Sequence, residues 1–148
     1  MEQECQSWKS LDPMYFWPLV MRWKNRVCPR IVIKGNSEEE FLEQISKHPE
    51  MDFVIEDSES LVAPRFNNLV YRWRNKMSYK SWVDEWARVD YLVCDENDKD
   101  YWMQAGLCGV KVFFSWEKFV EALNRGEILV LSKIDRIDQW EMTKNLLT

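Results

Sequence analysis

Five carboxylates lie close together in the second half of the chain, at Asp90, Asp95, Glu96, Asp98 and Asp100. Converging carboxylates supply the oxygen ligands that Mg²⁺ or Mn²⁺ needs for phosphodiester chemistry. Asp95 and its neighbours follow the apolar run Val89-Asp90-Tyr91-Leu92-Val93-Cys94, which reads as a strand. The carboxyl end of a strand is where open parallel sheets bind their ligands. Two details argue against a metal. In Asp95-x-Asn97-x-Lys99 a lysine stands where a calcium loop needs oxygen, and Lys34 ends the first strand where a metal nuclease would place an acid. The acids therefore read as solvated, partner-facing surface, with no metal or cofactor expected.

Covalent catalysis finds less support. The single histidine, His48, sits between Lys47 and Pro49 at a helix end, so no base is evident for a Ser or Cys nucleophile. Cys94 lies beside Asp95, and adjacent acids raise a thiol pKa. The four cysteines (Cys5, Cys28, Cys94, Cys108) contain no Cys-x-x-Cys pair and read as ordinary reduced thiols.

A different chemistry is written in residues 65–82, where five cations (Arg65, Arg72, Arg74, Lys76, Lys80) occur with no acid and are interleaved with Tyr71, Trp73 and Tyr79. Cations combined with aromatic faces suit phosphate neutralisation and base stacking. Asn68, Arg72, Lys76 and Lys80 recur every four residues, which on a helix forms one stripe. The competing expectation is an amphipathic helical hairpin with its tryptophans in the core. A second aromatic-rich stretch, with Trp8, Tyr15, Phe16, Trp17 and Trp23, precedes the first strand and is expected to fold back over the domain.

These groups need a frame. The chain has 148 residues, enough for one domain with a core, and its four glycines leave little material for Gly-rich phosphate loops. The only early apolar run, Met14 to Met21, is too short to span a membrane and follows an acidic start, so a soluble intracellular protein is expected. The net charge of -5 is segregated along the chain. Residues 1–36 carry +3, residues 37–60 carry -8, residues 61–82 carry +5, residues 83–100 carry -5, and the remainder is neutral.

The pattern predicts strands at 30–34, 52–55, 89–94, 110–114 and 128–131. Helices are predicted from Ser37 to Pro49, with Ser37 and Glu40 as a capping box, from Asn97 to Ala105, from Ser115 to Gly126 and over 135–146. Residues 66–88 read as two inserted helical pieces. The fold class is a single α/β domain over 1–148, a mostly parallel sheet of four or five strands with helices on both faces. Residues 1–29 form its aromatic arm.

Over 31–124 this order, with Val89-Asp90-Tyr91-Leu92-Val93 and Gly109-Val110-Lys111-Val112 as third and fourth strands, resembles BRCT-type interaction modules. Lys47-His48-Pro49-Glu50 stands where such modules carry paired glycines, and PIN-type nucleases and Rossmann-like domains share the phrasing. The likeness is one of topology and transfers no residue roles.

The leading expectation is a small non-enzymatic binding protein of the inhibitor, immunity or viral accessory type. It would occupy a basic protein surface through Glu96, Asp98, Asp100 and Trp102. The second is an RNA- or DNA-binding protein using Arg72, Arg74, Lys76 and Lys80, and the third a metal-dependent nuclease at Asp95 and Asp98.

Overall fold

The structure is a computed structural model and describes residues 28–34, 38–56, 67–72 and 84–146. Nine elements follow in chain order: β1 (Arg30–Lys34), α1 (Glu38–Lys47), β2 (Asp52–Glu56), β3 (Leu69–Arg72), β4 (Tyr91–Val93), α2 (Lys99–Leu107), β5 (Lys111–Phe113), α3 (Trp116–Asn124) and α4 (Lys133–Leu146). The strands form one five-stranded sheet in the order β3-β2-β1-β4-β5, and every pairing is parallel.

The central strands are apolar along their middles because the sheet is covered on both faces. Ile31, Ile33, Phe53, Ile55, Tyr91 and Val93 point to one side, where they meet Phe41 and Ile45 of α1 and Phe119 of α3. Val32, Val54 and Leu92 point to the other, toward Tyr101 and Ala105 of α2 and Trp140 of α4. Ile31, Val32 and Ile33 are completely buried, and burial of each such side chain contributes roughly 1.5–3 kcal/mol. The chain moves one way across the sheet from β1 to β2 and the opposite way from β4 to β5. Crossovers of a single hand then put α1 and α2 on opposite faces.

Local sequence sets the helix limits. The Ser115 hydroxyl accepts a hydrogen bond from the Lys118 amide at the start of α3, and Gly126 (φ 71°) follows its end. A reciprocal box opens α4, where the Asp135 amide donates to Ser132 Oγ and the Ser132 amide donates to Asp135 Oδ2. This helix begins two residues before the expected 135. The α1 terminus is closed from a distance, with Asn68 Nδ2 donating to the carbonyls of Ile45 and His48.

Four sequence expectations need correction. Leu69–Arg72 is the edge strand β3 and not part of a helix, so the four-residue stripe starting at Asn68 is not built as expected. A helical turn occurs at 84–86, while 73–83 lie outside the described residues. Ile128–Leu131 does not join the sheet. It crosses the amino edge instead, where the Leu131 amide donates to Asp90 Oδ1 and the Tyr91 hydroxyl donates to the Leu129 carbonyl at 2.7 Å. Asn97 is not the cap of α2: Asp98 holds that position. Gly106 does not end α2 but sits inside it, where a Cβ would run into Thr143 of α4. The capping residue Ser37 and the aromatic arm up to residue 27 lie outside the described residues.

Candidate functional site at the carboxyl edge of the sheet

Strand order places β1 at the centre with β2 and β3 on one side and β4 and β5 on the other. The chain therefore leaves β1 and β4 in opposite directions, and a crevice opens between their carboxyl ends. Lys34 ends β1, and the turn after β4 runs from Cys94 to Asp98. A cleft of about 410 Å³ lies there, lined by Lys34, Asn97, Asp98, Lys99, Asp100 and Tyr101.

The turn is locally determined. Asp95 Oδ1 accepts the Asn97 amide at 2.7 Å, and the Asp98 amide donates to the Asp95 carbonyl at 3.0 Å, so Asp95 orders the turn while remaining exposed. Asp98 stands at the N-cap of α2 without making a capping bond. Its carboxylate reaches Lys34 Nζ at 3.4 Å, and the same ammonium lies 4.6 Å from the centre of the Tyr101 ring. Asp100 is exposed in the first turn of α2, where the helix dipole favours an acid. Trp102, one residue further on the chain from the buried Tyr101, is half-buried. Its indole Nε1 donates to the Glu96 carbonyl at 2.9 Å, and its ring meets Phe114 edge-on at 5.1 Å.

Glu96, Asp98, Asp100 and Trp102 are thus brought together on one turn and the start of one helix. Asp90 is not with them. It precedes β4 and Asp95 follows it, so a span of about 16 Å of extended chain separates the two acids. Asp90 is fully buried, with Oδ2 accepting the Arg30 amide at 2.9 Å, Oδ1 accepting the Leu131 amide at 3.0 Å, and Arg136 Nη2 at 3.6 Å. Arg136 in turn donates to the carbonyls of Trp86, Val89 and Cys108. This pair joins α4 to the amino edge of the sheet, and its work is structural. Among the described residues no group of three or more His, Cys, Asp or Glu is placed to hold a metal ion.

The other candidates separate as well. Cys94 is buried, and burial pushes its thiol up to about 12, with Asp98 and Asp95 adding to the rise and Lys34 opposing it. His48 lies beyond the end of α1, on the way to the start of β2, where its Nδ1 is 2.9 Å from Glu50 Oε1. That hydrogen bond is the main cause holding the Glu50 carboxyl below its usual range. Cys94 and His48 therefore stand at opposite edges of the sheet and cannot act together. Arg72 ends β3 opposite Glu56, while Arg74, Lys76 and Lys80 lie outside the described residues.

Sequence reasoning passed over Lys34 and Tyr101 as site residues. The available signal was a cation closing an apolar strand, which becomes informative only once β1 and β4 are known to be neighbours. Glu56 is fully buried at the carboxyl end of β2, which its place in an acidic block of the sequence does not reveal.

The fold and the site define a doubly wound parallel α/β domain with a polar crevice at its topological switch point. No protein-family model, curated protein or solved structure matches the chain. Among the described residues, no helix is long and apolar enough to cross a membrane.

Proposed function

We propose that this protein is a non-enzymatic binding protein that occupies a basic surface on a protein partner through Glu96, Asp98, Asp100 and Trp102. The observation that carries the reading is the fixing of Trp102 of α2 between the Glu96 carbonyl and Phe114, beside a turn and helix start whose acids Asp95, Glu96 and Asp100 face solvent. An immobilised aromatic beside exposed carboxylates loses little side-chain entropy on binding, and such residues supply most of the energy of protein interfaces. The acids add association rate and selectivity for a cationic partner. An inhibitor, immunity or viral accessory protein would act in this way, from the cytoplasm or nucleus.

The test is capture of partners from native extract on the intact protein, with and without nuclease, followed by cross-link mapping and kinetics on the recovered protein. Cross-links to Lys99, beside the patch, are expected. Trp102→Ala should weaken binding at least about tenfold, and Glu96→Lys with Asp100→Lys should slow association and remove its salt dependence. Loss of every captured protein on nuclease treatment, or indifference to both sets of variants, would overturn the reading. The first of those outcomes would favour nucleic-acid binding through residues 65–82.

A further inference from the structure

Helix α4 buries Arg136, Trp140 and Thr143 on its inner side. The outer side of such a helix is ordinarily polar. Here Ile134, Met142 and Leu146 are each more than half exposed, and they are three of the six large hydrophobics exposed among the described residues. The other three are scattered over β3, the end of β5 and the segment before α4, so only α4 carries an array. At roughly 100° per residue the three fall within one arc of about 120°, a stripe along the helix. The outer positions of α1 and α3 are charged instead, Glu43 and Lys47 on one and Glu117 and Glu121 on the other, and call for no cover. Exposed acids lie along the α4 stripe at Asp135, Asp138 and Glu141. Among the described residues, Asp138 and Glu141 make no ion pair.

Tether and charge select the occupant. The Asp90 carboxylate accepts the Arg30 amide on one oxygen and the Leu131 amide on the other. The chain entering β1 through Cys28 and Pro29 therefore passes beside the segment that opens α4 two residues after Leu131. Trp23 is five residues before Cys28, and extended chain of that length spans up to about 17 Å. From Ile134 to Met142 the helix rises about 12 Å, so the stripe is within reach. Residues 13–28 contain no acid, and Arg22, Lys24 and Arg26 surround Trp23 just after Leu19, Val20 and Met21. Apolar and cationic side chains are mixed in this stretch as apolar and acidic ones are on α4. We propose that residues 19–26 dock along the outer side of α4 in the same molecule. Their apolar side chains lie on Ile134, Met142 and Leu146, and their three cations face Asp135, Asp138 and Glu141. The assignment stands or falls separately from partner docking at Trp102.

The experiment is photo-cross-linking of the full chain with Met142 replaced by p-benzoylphenylalanine, followed by mapping of the products by mass spectrometry. Met142 is exposed, so the replacement leaves the core intact. The cross-links are expected in residues 19–26 of the same chain, with an equal mixture of ¹⁴N and ¹⁵N protein showing none between chains. Arg22→Glu with Lys24→Glu should lower their yield at least about fivefold, because two attractions become repulsions. Adding Asp138→Lys with Glu141→Lys to that background should restore the yield, which a variant that merely misfolds would not do. The proposal is overturned if position 142 cross-links elsewhere in the domain or to nothing. It is overturned equally if ¹⁴N chains join ¹⁵N chains, which would give the stripe to a second copy, or if the charge reversals leave the yield unchanged or fail to restore it.

Discussion

Replacing Asp90 by Asn tests the division between structural and surface acids. Asp90 is fully buried and its partner Arg136 is 1% exposed. The carboxylate accepts two backbone amides, Arg30 on Oδ2 and Leu131 on Oδ1, and faces the Arg136 guanidinium at 3.6 Å. An Asn side chain has one acceptor oxygen, so whichever way it turns its NH₂ group confronts a backbone N–H. One buried donor is left unmade, at about 1–3 kcal/mol. Arg136 also loses its counter-charge, and breaking a buried pair from one side typically costs about 3–5 kcal/mol in all. Against a domain stability of roughly 5–15 kcal/mol, that is at least about a fifth of the total. Arg136→Met should be comparably damaging, since it withdraws donors from the Trp86, Val89 and Cys108 carbonyls. The double variant should cost at least about 1 kcal/mol less than the sum, because the two residues act on each other. Urea unfolding followed by tryptophan fluorescence and far-UV circular dichroism measures each. A change below about 1 kcal/mol for Asp90→Asn, or simple additivity in the cycle, would refute the assignment and return Asp90 to the surface acids.

Two further outcomes follow from packing and burial. Gly106→Ala drives a Cβ into Thr143 Oγ1 and should destabilise the protein by about 1–3 kcal/mol; addition of Thr143→Ala should recover part of that loss in the same urea assay, and no recovery would show that the α2–α4 contact is not the cause. The Cys94 and Cys108 thiols are both pushed up to about 12 by burial, so they stay protonated in the native state where unfolded thiols, at about 8.5, have ionised. The unfolded state then binds fewer protons between roughly pH 8.5 and 12, and stability must fall as pH rises through that window. Urea midpoints at pH 8 and pH 10 should drop in that order, and a combined Cys94→Ala and Cys108→Ala variant should flatten the drop. An equal slope in that variant would contradict the attribution.

The elements that were legible in the sequence are those whose environment leaves one possible pattern. β1, β2 and β4 are buried on both faces, so they appear as unbroken apolar runs bounded by turns, and Ser115 and Gly126 mark α3 by their chemistry. β3 was not legible because it is an edge strand of four residues, with Leu69 buried and Val70 56% exposed. A period of two sampled over so few positions cannot be told from the helical spacing of Leu69, Trp73 and Met77 around it. Ile128–Leu131 misleads for the opposite reason. Ile128 and Leu131 are buried while Leu129 is 65% exposed, a strand-like composition without a ladder partner, because the segment's backbone is held by the side chains of Asp90 and Tyr91 and not by a neighbouring strand's backbone.

The acidic block 83–100 shows what sequence counting leaves out. Glu85 pairs with Arg30 at 2.9 Å at one end of β1, and Asp98 pairs with Lys34 at the other. Asp90 between them is tied to Arg136. Each of these acids lies more than forty positions from its cation, so only the fold, with β4 beside β1 and α4 against the amino edge, reveals them as partners. A block that looks like free negative surface is therefore partly the counter-charge of the central strand. What remains outward is Asp95, Glu96 and Asp100, gathered on one turn and the start of α2 beside Trp102. The same crossing that brings Asp98 to Lys34 leaves those three acids outward, so the docking rim arises from the reversal of strand order at β1 and β4.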